Sequence, residues 1–394
     1  MTLSAFEKGV ALLVAFVVVA VVIVVVPACV VSAQNAKRLQ QHKEDADAAR
    51  DTAIAATGLG DDAQKMAIFR RAIQDAASAP PPKKKKEAPL FPIDALFTWV
   101  DGNDDKWRAT KREVHRKLYG KPHVENPRDP SRVDDGKDEL YYSVHLATKF
   151  CPWLRRVWIL TAKHHRPKWL GLPRDAYGSE GASSTVNGVK VTVVHHDRVF
   201  DPTCIPGPTF NSLVIESQIP HIAQLAEHFI MFNDDFFIGQ PMTRQHFFKD
   251  DGTSVINLKD VTAYITSLQT MWGQFLRNMQ AHSRSLGAKQ GLLPDHVAAP
   301  VRKSVLAAVV RALRKDVCAM GPFRRSPDFP VWYVALNMAK SVPGSSTTVT
   351  KYFGTGPGFE AYMATAKLKL PHLFCINQEF TAGCKAILDR ALMS

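Results

Sequence analysis

The residues best suited to do chemistry in this chain are Asn233, Asp234 and Asp235, which follow the apolar run Phe229-Ile230-Met231-Phe232. Four apolar residues are too few for a helix and read as a strand buried on both faces. Adjacent carboxylates at the end of such a strand repel each other unless a cation joins them, and their hard oxygens favour Mg²⁺ or Mn²⁺. Asn and Asp are also common turn formers, so the same triplet can simply join two strands. A second polar tip, Asp101-Gly102-Asn103, follows the strand-like stretch 93–100. Such a tip can hold a nucleotide base or ribose, with glycine allowing close backbone approach, although an ordinary hairpin turn has the same composition. His296 stands where a helical pattern begins, from which a side chain can reach into a cleft; a lone histidine is more often structural. Arg324 and Arg325 offer two guanidiniums suited to bidentate phosphate contact. The pairs His164-His165 and His195-His196 invite a metal reading. Adjacent side chains point in different directions, however, and no cysteine or carboxylate pattern completes a zinc site.

These side chains need a frame. Strand patterns cover 93–100, 156–161, 190–195 and 229–232, with a short one over 372–377 tipped by Asn377. Between them fall helical patterns. One runs from Trp107 to Leu118. A second is capped by Asp138 and stopped by Pro152, and a third starts at Asn211-Ser212 and is interrupted at Pro220. Residues 264–279 carry an apolar stripe (Tyr264, Leu268, Met271, Phe275, Met279) at helical spacing, and 301–317 is amphipathic. Alternating strands and helices predict an α/β domain, in which ligands sit at the carboxyl ends of the strands.

The chain has 394 residues, 46% of them hydrophobic, enough for one large domain or two small ones. Its net charge of +13 suits anionic substrates such as nucleotides and sugar phosphates. No zinc-finger spacing or RNP-like aromatic motif points to nucleic acid. Residues 10–31 carry no charge and are long enough to span a bilayer. The expected organisation is therefore a signal anchor over 1–35, a stem and Pro/Lys-rich linker over 36–89, and a folded domain over 90–394. Val31-Ser32-Ala33 also resembles a cleavage site, and lysines on both sides of the span leave its orientation open. The six cysteines show no CxxC pattern and allow disulfides without naming pairs.

Four ordered blocks resemble the Stealth family, which includes bacterial capsule sugar-phosphate transferases and the catalytic subunit of the lysosomal-enzyme N-acetylglucosamine-1-phosphotransferase. The first is Ile93-Asp94 through Trp99-Val100-Asp101-Gly102-Asn103, with Trp107. The second runs from Arg132 through Glu139-Leu140-Tyr141-Tyr142-Ser143 to Pro152-Trp153-Leu154-Arg155, then Thr161 and Pro167-Lys168-Trp169-Leu170. The third holds Phe210-Asn211-Ser212, Ile215-Glu216, Asn233-Asp234-Asp235 and Phe237-Ile238-Gly239, followed by His296, Arg302-Lys303-Ser304 and Phe323-Arg324-Arg325-Ser326. Phe374-Cys375-Ile376-Asn377 is the last. The sequence departs from the family at Gly136-Lys137-Asp138, at His145 and at Gln378, where a carboxylate is usual.

The resemblance implies a nucleotide-sugar glycosyltransferase-like (GT-A-like) central sheet flanked by helices, with an N-terminal transmembrane helix. It implies transfer of a hexose- or N-acetylhexosamine-1-phosphate from a UDP-sugar donor to a glycan or glycoprotein acceptor, with release of UMP. Mg²⁺ or Mn²⁺ would sit on Asp234 and Asp235. His296 would act as general base, Asp235, Arg324 and Arg325 would serve the transferring phosphoryl group, and Asp101, Gly102, Asn211, Asn233, Arg302 and Asn377 would bind substrate. The family's eukaryotic members imply a single-pass membrane protein of the Golgi or secretory pathway with a lumenal catalytic domain, and a homo-oligomer is compatible with this. A metal-dependent glycosyltransferase releasing UDP and a non-catalytic, membrane-anchored carbohydrate-binding pseudoenzyme remain the alternatives, the last favoured by Gln378.

Overall fold

The computed structural model describes residues 91–124, 137–172, 182–256, 258–259, 269–288, 293–339, 341–345, 347–366 and 369–394, with a few positions in 67–75. The expected membrane span, and the stem and linker apart from those few positions, lie outside the described residues. Among the described residues no helix is long and apolar enough to cross a membrane.

Six strands form the central sheet: β1 (Ile93–Trp99), β2 (Arg156–Thr161), β3 (Ala182–Val186), β4 (Val189–His195), β5 (His228–Asn233) and, later in the chain, β10 (Ala299–Arg302). Their order is β10-β5-β1-β2-β4-β3. The four inner strands are parallel, and each edge strand runs antiparallel to its neighbour. Side chains of a strand alternate between faces, and here both faces are covered. Leu96, Trp158, Leu160, Phe229 and Met231 pack into one apolar cluster. Ala95, Phe97, Val157, Ile159, Ile230 and Phe232 pack into another on the opposite face. This is why Phe229-Ile230-Met231-Phe232 is apolar without interruption, as expected of a strand between two helical layers.

Helix α1 (Asp105–Tyr119) is capped by Asp104, and α2 (Glu139–Phe150) by Asp138, whose carboxylate accepts the Tyr141 N–H. Leu140, Val144 and Ala147 of α2 cover one face of the sheet. The other face is covered by α3 (Ser212–Ser217), α4 (Met271–Ser285), α5 (Lys303–Ala312), α6 (Arg314–Ala319) and α7 (Val331–Met338). Past Asn233 the chain turns through Asp234-Asp235 into β6 (Phe236–Ile238), which joins a second sheet. Short strands β7 (Ser254–Ile256), β8 (Leu258–Lys259) and β9 (Leu293–Pro294) follow, and β11 (Ser341–Pro343) pairs with β7. In the second sheet β12 (Thr350–Phe353) lies beside β13 (Leu373–Ile376), and β13 beside β6. Two helices, α8 (Gly356–Thr365) and α9 (Ala382–Met393), complete the domain. Gly239 ends β6 where a Cβ would meet the Pro371 carbonyl, so only glycine fits that approach.

Several predicted boundaries move. Residues 301–302 are strand, not helix, because Val301 pairs with Phe229 on the open edge of β5 and the helix starts only at Lys303. His296 therefore precedes a strand rather than a helix. Of the 264–279 stripe, Tyr264 and Leu268 lie outside the described residues; the helix Met271–Ser285 follows a Thr270 cap, and Met271 is exposed while Phe275 and Met279 are buried. The helix starting at Ser212 stops at Ser217, and Pro220 sits in a single 3-10 turn. Cys204 and Cys318 form a disulfide, whereas Cys151, Cys375 and Cys384 are buried free thiols.

Candidate active site

In a parallel sheet the strand order fixes where a cleft can open. Here β1 connects outward to β2 on one side and pairs with β5 on the other, so the chain reverses direction between β1 and β5. That switch point is where open α/β sheets bind ligands, outside the carboxyl ends of the strands. Asp101 and Gly102 follow β1 there, and Asn233-Asp234-Asp235 ends β5. Thr98 of β1 donates from its hydroxyl to the Asn233 side-chain oxygen at 3.3 Å, tying the two tips together. Asp234-Asp235 forms a two-residue turn, as that composition allows, and both residues are buried, 5% and 7% exposed.

Two other segments arrive at the same corner. Because β10 is antiparallel to β5, its beginning, and His296 just before it, lies at the carboxyl end of β5. Strand β13 pairs Cys375 with Phe236, and the Ile376 N–H donates to the Asp235 carbonyl at 3.1 Å. The Cys375 thiol donates to Asp235 Oδ2 at 3.4 Å. Ligand atoms of Asp235, His296 and Cys375 all lie within 4.8 Å of one another. His296 Nδ1 is 3.2 Å from the Tyr333 hydroxyl, and the Phe236 ring meets the imidazole edge-on at 4.9 Å.

Electrostatics reflect this crowding. Burial, assisted by the Arg324 charge, lowers the His296 pKa to about 4, so the ring is neutral around pH 7. Burial pushes the Cys375 thiol well up, and the Asp235, Glu139 and Asp234 carboxylates push it further. Glu216, on α3, is raised to about 7 by burial against the opposing pull of Arg324. Burial and the neighbouring Glu216, Cys375 and Asp235 likewise raise Tyr333.

Arg324 is delivered by the loop between α6 and α7. Its guanidinium donates to the Ser212 hydroxyl, at the start of α3. The loop is fixed from several sides. The Asn211 amide donates to Asp328 Oδ2 at 2.8 Å and to the Gly321 carbonyl at 3.0 Å, and the Arg325 N–H reaches the same Asp328 oxygen at 2.9 Å. The Phe210 and Phe323 rings stack at 5.3 Å, and the Cys204–Cys318 disulfide anchors α6 just before the loop.

The remaining expected site residues divide. Asn377 ends β13 beside the corner, its N–H donated to the Phe353 carbonyl at 2.9 Å. Asp101 accepts the Asn103 N–H and donates its own N–H to His165 Nδ1 at 3.0 Å, which shapes the β1 loop. Asn211 is fully buried: besides its two donated bonds, its Oδ1 caps α3 through the Leu213 N–H. It holds the Arg324 loop instead of presenting itself to a ligand. Arg302 does not reach the corner. It pairs with His228, the first residue of β5, and its guanidinium contacts Glu227 at 3.2 Å, about 16 Å of strand away from Asn233. Arg325 turns to the Ala319 carbonyl at the end of α6. The histidine pairs brace loops: His195 Nε2 bonds the His165 carbonyl at 3.0 Å and His196 stacks on Phe200. Gln378 and Glu379 are exposed.

Four residues with a place here were not singled out for it in the sequence: Cys375, Glu216, Tyr333 and Glu139. A glutamate among the apolar residues of 213–219, as Glu216 is, signals burial and could have marked that one. The hard-cation expectation fits the donor chemistry, since Asp234 and Asp235 bring buried oxygen donors to one corner.

Fold and site together define an α/β protein with an acidic, arginine-flanked corner at the switch point of its sheet. Residues 91–119 match the model of Stealth protein conserved region 1, and 132–256 that of conserved region 2. A capsular polysaccharide phosphotransferase of Aeromonas hydrophila is 31% identical over 307 residues, covering 73% of this chain and 79% of the relative. One from Haemophilus influenzae is 29% identical over 312 residues, covering 73% and 78%. One from Actinobacillus pleuropneumoniae is 37% identical over 168 residues, covering 43% and 41%. The chain belongs to the Stealth family.

Proposed function

We propose that the protein transfers a sugar 1-phosphate from a UDP-sugar to a carbohydrate hydroxyl, forming a phosphodiester and releasing UMP. Relatives named as capsular polysaccharide phosphotransferases support sugar-phosphate transfer in polysaccharide synthesis. The observation that carries the reading is the meeting of Asp235 and His296 at the switch point, with Arg324 in electrostatic reach.

In this reading the acceptor oxygen attacks the β-phosphorus, the bond to the bridging oxygen breaks, and UMP leaves with that electron pair. Asp234 and Asp235 would hold Mg²⁺ or Mn²⁺, whose contribution when bound is to neutralise the pyrophosphate. Arg324 stabilises charge gathering on the transferring phosphoryl oxygens. His296, neutral at working pH, takes the acceptor proton. Its low pKa makes it a weak base, which suffices because phosphoryl transfer rests mainly on positioning and electrostatics. Ser212 and Asn211 aim Arg324, and Asp101 and Gly102 form the wall at the β1 tip.

The Cys204–Cys318 disulfide supports an oxidising compartment, in keeping with an anchored protein of the secretory pathway. The test is the nucleotide product: purified protein given a UDP-sugar and acceptor polysaccharide releases UMP. Release of UDP would make it a glycosyltransferase, and no release would favour a carbohydrate-binding pseudoenzyme.

A further inference from the structure

Three side chains of different chemistry converge beside the acidic corner, and a hard cation uses only one of them. Mg²⁺ and Mn²⁺ take oxygen donors, so the Asp235 carboxylate suits them while the His296 imidazole and the Cys375 thiol do not. Carboxylate, imidazole and thiolate together are the ligand set of zinc-like ions, which accept three protein groups and leave a fourth position to water.

We propose that Asp235, His296 and Cys375 form a binding site for a thiophilic divalent cation, with Zn²⁺ the natural occupant, that competes with the hard cation for Asp235. The three ligand atoms already lie within 4.8 Å of one another. Tetrahedral bonds of about 2.0–2.3 Å place ligand atoms roughly 3.2–3.8 Å apart, so side-chain rotations of about an ångström close the site. The backbone holds it together: Cys375 is paired opposite Phe236, next to Asp235, and its sulfur already faces Asp235 Oδ2. The Tyr333 hydroxyl, 3.2 Å from His296 Nδ1, is an outer partner that orients the ring. On binding, the Cys375 Sγ–H bond breaks and its proton leaves to solvent, while a sulfur–zinc bond replaces one from zinc to water. No electron transfer is involved. Cys375 itself is fully buried. Occupancy blocks turnover, because it removes both Asp235 and the His296 lone pair; only this consequence rests on the proposed function.

The test titrates full-length, metal-free protein with Cd²⁺ as the thiolate-sensitive probe, in excess Mg²⁺. One equivalent should produce an ultraviolet sulfur-to-cadmium charge-transfer band, and Zn²⁺ should abolish it by displacement. Cys375→Ser should lose the band, and His296→Ala, which keeps the thiol, should bind about a hundredfold more weakly, at least the cost of losing an outer-shell partner. Circular dichroism checks that both variants are folded. No band in the wild type overturns the site, as does a band that survives in Cys375→Ser through Cys151 or Cys384. Unchanged affinity in both His296→Ala and Asp235→Asn also overturns it. The titration contains no substrate. A band without sugar-phosphate transfer sinks only the proposed reaction, and transfer without a band sinks only this site.

Discussion

Replacing Glu216 by Gln isolates one buried ionisation. The carboxyl is 4% exposed on α3, bonded to Ser212 and Trp332, and its pKa rises from 4.5 to about 7. Between those values the native state binds more protons than the unfolded chain, so this group makes stability fall as pH rises through the window. Each unit is worth 1.36 kcal/mol, so the ionised carboxylate costs the fold up to about 3 kcal/mol above pH 7. Gln has nearly the same shape and never ionises. Glu216→Gln should therefore be more stable than wild type by about 2–3 kcal/mol near pH 8 and nearly equal to it near pH 4. Urea unfolding of the disulfide-intact protein at a series of pH values reads this directly, with equal slopes reporting unchanged compactness. A stability difference independent of pH would refute the reasoning, because it would reflect packing or hydrogen bonding alone.

Three further outcomes follow from the same corner. Asp235→Asn should lower turnover by about a hundredfold or more without lowering the thermal midpoint, and EDTA should silence the wild type; full activity in excess EDTA would refute a cation there. Arg324→Ala should reduce kcat by about 10²–10³, and kcat measured with saturating donor and acceptor checks it. It should also raise the Glu216 pKa, since Arg324 is the largest influence holding that carboxyl down. Cys204→Ser should cost about 2–5 kcal/mol, because the bond closes a 114-residue separation, and denaturant unfolding with and without reductant measures it.

What was legible in the sequence was local. An apolar run ending in two carboxylates marks a buried strand and its tip, and Asp138 before a helical pattern marks a cap; both stand as read. The place of Arg302 is not legible in the sequence, because it depends on the direction of a distant strand. Only the antiparallel pairing of β10 with β5 sends it to the far end of the sheet while bringing His296 to the near one. Asn211, which the resemblance assigns to substrate, is occupied by contacts that come from 110 and 117 residues away and that no local pattern reveals. Cys375 stands in the last of the resembling blocks, but its place against Asp235 arises only from the β13–β6 pairing.

The most direct measurement follows the β-phosphorus. A UDP-sugar radiolabelled at that atom is incubated with the protein, Mg²⁺ and acceptor polysaccharide, and the label is traced to glycan or nucleotide. Phosphoryl transfer at the Asp235, His296 and Arg324 corner predicts label in the glycan as a phosphodiester, unlabelled UMP in solution, and neither with Asp235→Asn. Label recovered only as UDP, beside a phosphate-free glycan product, would contradict it.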